Sequence, residues 1–203
     1  MIGTVIMGAG DFAREIYEYH KYSNIKVVGF FDEFSQTNTL RSLPVYNKLD
    51  DIPGYRQQSY IAGTGNPSVN KKFLNTLSEK GLILADPLIV DSYVGETVNI
   101  DRGSIICPKS ILTCDIKVGK LCVVNISCTI GHDSVLEDGV VLSPNVSLSG
   151  HTILEEEVFF GTSSLTIPKI RVSAKSVIGA NSVITKNIIE SGLYVGSPAV
   201  RKK

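Results

Sequence analysis

The sequence has no surplus of charge: 20 Lys and Arg residues are matched by 20 Asp and Glu over 203 residues. This excludes a broad basic face, the usual electrostatic footprint of a nucleic-acid binder. It also gives no reason to expect an anionic membrane surface as partner. Long apolar runs are missing as well: no stretch approaches about 18 uninterrupted apolar residues, so no membrane span is expected. Residues 1–7 carry no basic start and run straight into Gly8-Ala9-Gly10, which is not a secretory pattern. Cysteine is scarce. Cys107, Cys114, Cys122 and Cys128 form no Cys-x-x-Cys zinc pair and read as small buried residues with reduced thiols. With 43% hydrophobic residues the chain has material for a real core. The expectation is a soluble, cytoplasmic protein that acts on a small molecule, with no nucleic-acid or membrane partner.

What the sequence does have is a period. Every sixth residue from Leu88 onward is Leu88, Val94, Ile100, Ile106, Leu112, Val118, Val124, Ile130, Leu136, Leu142, Leu148, Leu154, Phe160, Thr166, Val172, Ile178, Ile184. Only Thr166 breaks an otherwise large and apolar series. Small residues recur four places later, among them Ser104, Ser110, Cys122, Cys128, Ser134 and Thr152. A helix repeats at 3.6 residues and a strand at 2, so neither yields this pattern. A period of six implies a short strand, a corner and another short strand. Three sides close a triangular coil of 18 residues, and coils stack as parallel strands about 4.8 Å apart. This is the hexapeptide repeat. It resembles the left-handed β-helix acyltransferases, and that resemblance implies a homotrimer with active sites between neighbouring prisms.

Residues 1–85 read differently. An apolar strand, Thr4–Met7, ends at Gly8-x-Gly10-x-x-Ala13 and a helix from Phe12 to Tyr19. A second strand, residues 26–31, ends at Asp32-Glu33, and a third covers residues 59–65. Residues 67–80 read as a helix closed by Gly81. Strand, glycine turn, helix and strand open a Rossmann-like βαβ unit, with glycines that let backbone N–H groups approach a phosphate. The fold class is therefore an α/β Rossmann-like domain over residues 1–85 followed by a left-handed parallel β-helix over 86–203. Asp32 is placed where a dinucleotide enzyme binds ribose. However, the N-terminal unit is too short to contain the second half that would hold a nicotinamide. The nucleotide part of a substrate fits better than NAD.

The succession of Rossmann-like cap and hexapeptide prism resembles the sialic acid O-acetyltransferase-like family, whose members include N-acetyltransferases of nucleotide-linked amino-sugars. The resemblance implies a nucleotide-sugar substrate held by Gly10, Asp11, Phe12, Asp32, Glu33 and Gly65, although a carboxylate such as Asp11 sits badly beside a diphosphate. It implies acetyl-CoA as co-substrate and no metal. The segment Tyr194-Val195-Gly196-Ser197-Pro198-Ala199 resembles the end of acetyl-CoA-dependent hexapeptide enzymes. Arg201, Lys202 and Lys203 follow it, as cations for CoA phosphates. The pantetheine arm is expected to pass Gly150, Thr162 and Ala180.

Histidine is rarer still, with only His20, His132 and His151. His20 falls in the first helix and reads as a surface residue. His132, in Ile130-Gly131-His132-Asp133, resembles the family's general base, with Asp133 raising its basicity. Eighteen residues on stands Gly150, whose N–H is placed to receive a thioester oxyanion. His151 stacks above Asp133 by the same count and can pair with it, compete for it or be merely exposed. Metal-dependent carbonic anhydrases share such prisms but need three histidine ligands, and only two lie here. The expected reaction is N-acetylation of a nucleotide-linked amino-sugar. A sugar O-acetyltransferase and a non-catalytic nucleotide-binding assembly protein are the alternatives.

Overall fold

The computed structural model describes residues 3–23 and 25–202. Met1, Ile2 and the tail residue Lys203 lie outside the described residues. The chain begins as an open sheet of β1 (Thr4–Met7), β2 (Val27–Phe31), β3 (Thr39–Leu40), β4 (Leu43–Tyr46), β5 (Ser59–Ala62) and β6 (Ile83–Leu84), with helices α1 (Asp11–Tyr19) and α2 (Pro67–Glu79). Strand order is β3-β4-β2-β1-β5-β6, and all pairs are parallel except β3 with β4. The short β3–β4 hairpin carries no alternation that the sequence makes legible.

The central strand is apolar throughout because both of its faces are covered. Ile6 faces α1 through Ala13 and Ile16, while Val5 and Met7 face α2 through Leu77. Helix α2 starts where Asn66 accepts the N–H groups of Ser68 and Val69, with Pro67 in its first turn. It ends at Gly81, whose φ of 63° only glycine adopts freely.

Residues 88–184 wind as two-residue strands in three parallel sheets, one per face of a triangular prism. Partners on every face are one full coil apart in sequence: Val123 with Val141, Thr129 with Ser147, Val135 with Ile153. The first coil differs. Leu88 registers with Ile105, and Ile89 with Ile106, so Leu88 points outward instead of starting the interior column. The interior column is otherwise the apolar series of the sequence. From Gly103 to Asn181, corners are tight and left-handed at every sixth residue, including Asp133 (φ 59°) and His151 (φ 58°). The small residues bind coil to coil: Ser104 Oγ donates to Gly119 O at 2.6 Å and accepts the Cys122 N–H at 2.9 Å. A hairpin, Leu193–Gly196 with Ala199–Arg201, adds to the first face and closes the far end.

The first prism face is apolar on both sides. Outward-pointing Ile105, Val123 and Val141 are buried in one core with Ile6, Phe30, Ile61, Ala13 and Ile16 of the N-terminal unit. Lys71 of α2 pairs with Glu156 at 2.7 Å, a bond that raises the Lys71 pKa. The signal is present in the sequence as doubled apolar pairs (Ile-Ile, Val-Val, Val-Leu, Phe-Phe) that recur once per coil. Three of the four cysteines are buried, and burial pushes the Cys122 and Cys128 thiols up to about 12. Cys114 departs from the expectation of burial: it sits at an exposed corner, where a side chain has no interior to enter. No helix among the described residues is long and apolar enough to cross a membrane.

Candidate functional site

The candidate residues gather in two places. The first is a cleft of about 620 Å³ at the carboxyl ends of β1, β2 and β5, where an open parallel sheet receives ligands. Gly8, with φ at 127°, packs its backbone against Gly63 and opens the cleft floor. Gly10, Asp11, Phe12, Asp32 and Glu33 all line the cleft, as the sequence places them. Gly65 does not. It lies with Asn66, Pro67 and Ser68 in a second hollow facing Glu157, Phe159 and Lys175 of the prism, and Gly63 and Thr64 take its place in the cleft.

Asp32 has a structural duty already. Its carboxylate accepts the Ala9 N–H at 3.1 Å and the Phe34 N–H at 3.0 Å, tying the glycine turn to the end of β2. Asp11 is paired with Arg14 one turn on, which offsets its charge. Gly10 has an extended backbone (φ −85°), and a Cβ there would touch nothing within 4 Å. The fold therefore does not require glycine at this position. Lys72, Phe34 and Phe73 also line the cleft and escaped the sequence reading. A helical period alone does not tell which face of α2 a cation occupies.

The second place is the prism corner of Gly131, His132 and Asp133. His132 Nδ1 lies 2.7 Å from Asp133 Oδ2. An ionised carboxylate only accepts, so Nδ1 carries a proton, and in the neutral ring the lone pair is on Nε2. The His132 bond is the main cause that holds the Asp133 carboxyl below the usual carboxylate range, with His151 adding to it. His151 Nε2 is 3.7 Å from the same oxygen.

Gly150 lies above His132 as the 18-residue count requires, and its place is more specific than a source of N–H. A Cβ on Gly150 would lie 2.7 Å from Nε2, 2.8 Å from Cε1 and 3.1 Å from Cδ2 of His132. The imidazole rests where a side chain would be. The Gly150 N–H has no acceptor among the described residues. Thr166, the one break in the apolar column, anchors this segment. It accepts the Ser149 N–H at 3.1 Å, its carbonyl takes the Ser149 hydroxyl at 2.7 Å, and its hydroxyl meets Thr152 Oγ1 at 3.0 Å.

Thr162 and Ala180 are exposed and share one column, on the corner between the first and second faces. Arg201 is not a free cation. It bonds Glu190 at 2.7 Å and Ser191 O at 2.9 Å, and leans on Gly192.

Residues 4–77 match the model of the PglD N-terminal domain. Over 99% of this chain and 97% of the other, the structure superposes with a TM-score of 0.92 on a perosamine N-acetyltransferase from Caulobacter crescentus in complex with CoA and GDP-perosamine, at 23% identity. WeeI from Acinetobacter baumannii matches all of both chains with a TM-score of 0.81 at 25% identity. An acyl-[acyl-carrier-protein]–UDP-N-acetylglucosamine O-acyltransferase from Sinorhizobium fredii is 32% identical over 71 residues, 35% of this chain. The chain spans only 26% of that protein and 40% of other curated relatives, so these likenesses are local. The stacked sheets fit the left-handed β-helix of the acetyltransferase structures.

Proposed function

From the premise that a PglD-type N-terminal domain precedes a prism with the hexapeptide-repeat acyltransferase fold, we propose an acetyl-CoA-dependent N-acetyltransferase of a nucleotide-linked amino-sugar. One observation carries this reading: His132 is held by Asp133 through Nδ1, with Nε2 free against a glycine corner. In this reading residues 1–85 form a Rossmann-like domain that captures the nucleotide, and residues 86–203 transfer the acetyl group.

The sugar amine attacks the thioester carbonyl, and His132 Nε2 takes the proton that the amine loses. Negative charge gathers on the thioester oxygen, and the Gly150 N–H, which has no acceptor among the described residues, is the donor assigned to it. The carbon–sulfur bond then breaks, and the thiolate of CoA takes the proton back from His132. Asp133 stays ionised throughout and steadies the imidazolium. Gly150 borders the donor path beside the base, and Thr162 and Ala180, on another corner of the prism, border it where a neighbouring chain brings that corner alongside. Arg201 meets the CoA phosphates only by exchanging Glu190 for them.

The C. crescentus protein was solved with a nucleotide amino-sugar, which favours an amine acceptor. The S. fredii relative acylates a hydroxyl, which makes O-acetylation the second reading. A panel of nucleotide amino-sugars with acetyl-CoA, followed by thiol release, tests both. The expected product survives hydroxylamine as an amide. An ester would be cleaved, and no thiol release with any acceptor would remove the enzyme reading.

The cleft and the base should separate in kinetics. Gly10→Ala and Asp32→Ala are expected to raise KM for the nucleotide-sugar at least about tenfold with kcat changed less, because contacts remote from the reacting amine persist into the transition state. Gly10→Ala should melt like the parent chain. A fall in kcat at constant KM would detach the cleft from substrate capture.

A homotrimer completes the proposal. The cleft stands off the first face, whereas His132 stands on the corner between the second and third. Substrate held by one chain therefore meets the base of a neighbour more easily than its own. Tyr93, Ile111 and Leu165 are exposed apolar residues of the second face, with the hydroxyls of Thr129 and Ser147 between them, and offer surface for such contacts. Small-angle scattering should return three times the chain mass, and an active monomer would contradict the shared site.

A further inference from the structure

The corner that carries the base holds a second imidazole around the same carboxylate. Asp133 Oδ2 is 2.7 Å from His132 Nδ1 and 3.7 Å from His151 Nε2. The two rings stand edge to face at 86°, with centroids 5.1 Å apart. One donor atom from each of His132, Asp133 and His151 lies within 4.8 Å of the other two. A tetrahedral ion with bonds of about 2.0–2.2 Å sets its ligand atoms roughly 3.4 Å apart. The spacings of 2.7 and 3.7 Å fall on either side of that value, and all three side chains are exposed, with room to turn.

The backbone beneath is fixed. Asp133 and His151 occupy left-handed corners, the Asp133 N–H binds Cys114 O at 3.2 Å, and the His151 N–H binds His132 O at 2.8 Å. Two imidazole nitrogens and a carboxylate oxygen form a donor set for zinc-class ions, not for magnesium or calcium. All three side chains are solvent-exposed, so an ion reaches them without opening the fold.

We propose that His132, Asp133 and His151 form a site for a divalent ion of the zinc class, with water as fourth ligand, and that the bound ion switches the base off. The ion is a competitor of the reaction, not its cofactor. A neutral imidazole carries one proton. In the free corner that proton sits on Nδ1 and points at Asp133, leaving Nε2 to accept from the amine. An ion on Nδ1 takes the lone pair there, and the ring proton moves to Nε2. The ring still holds one proton, but Nε2 becomes a donor and cannot act as base. The nucleotide cleft lies elsewhere, so kcat falls while KM for the nucleotide-sugar stays.

The inhibitory half rests on the acetyltransferase reading; the binding half does not, and the experiment separates them. Untagged, chelator-treated protein is titrated with zinc chloride in a calorimeter and with cobalt(II) by visible absorption. One ion per chain is expected, saturating in the micromolar range. His151→Gln should bind at least about tenfold more weakly, and zinc at the level that just saturates the parent should lower its turnover far less than it lowers the parent's. Cys114→Ala, which removes the exposed thiol one coil below His132, should bind zinc like the parent. In the parent, saturating zinc should lower kcat at least about tenfold, and EDTA should restore it. Absent saturable binding, binding untouched by His151→Gln, or undiminished turnover with the ion bound would each overturn the proposal. Should no acceptor sugar be found, the two titrations still decide the site.

Discussion

Gly150→Ala is expected to lose at least about a hundredfold in turnover, the usual worth of a general base, while its melting temperature hardly moves. The reasoning is steric and local. A methyl at Gly150 would lie 2.7 Å from His132 Nε2, so one of the two must yield. Gly150 has no left-handed backbone that alanine would strain. His132 is exposed and free to rotate, so the ring swings off the corner at little cost to the fold. It leaves behind the Asp133 bond that keeps its proton on Nδ1. His132→Ala should lose a similar factor, and the double variant should be no worse than either alone, since both remove one device. Steady-state kcat for the three variants, with thermal melts as control, settles the point. Wild-type turnover in Gly150→Ala, in a folded trimer, would show that the ring need not sit where it does.

The second large effect lies far from the chemistry. Val123→Asp should destabilise the whole chain by at least about 4 kcal/mol, out of a total of roughly 5–15 kcal/mol. Val123 points out of the prism, where a repeat would normally be wet, yet it is fully buried beneath the N-terminal sheet. A carboxylate there has no water and no partner. Lys117→Asp, outward and exposed on the third face, should change stability by no more than about 0.5 kcal/mol. Urea unfolding of the two variants makes the comparison, and equal midpoints would mean that the sheet does not cover the prism in solution. The same shared core argues against removing residues 1–85 to obtain a free-standing prism. The cut would bare Ile105, Val123 and Val141 together.

The period of six is legible because each interior position is a separate packing demand, repeated until chance is excluded. Thr166 reads as a lapse in that series. Its hydroxyl is satisfied by Ser149 and Thr152, which is information that only tertiary neighbours hold. Leu88 slips by one because the first coil has no coil beneath it to enforce register. The glycine turn, Asp32 and His132 are readable from residue type and spacing. Four features are not: Arg14 offsetting Asp11, Glu190 holding Arg201, Gly65 facing the prism, and the ring of His132 over Gly150. Each depends on a side-chain direction, and a linear spacing fixes which residues are near without fixing where they point. Cys114 departs from its expected burial for a related reason. Its phase puts it on a corner, whereas Cys122 and Cys128 fall on the inward small-residue position.

Each coil touches only the coils directly above and below, so the prism loosens from its ends inward, as a stack does. On the second face the strand before His132, Thr129–Ile130, has two strands on one side and three on the other. The amide protons of Gly131 and Asp133, bonded to the next coil and the previous one, should therefore be among the slowest in the prism to exchange with solvent. Those of the terminal hairpin and of Ile89 at the open end should go early. The base is thus mounted on the part of the molecule that keeps its shape longest, and heat or force reaches it only after the outer coils have let go.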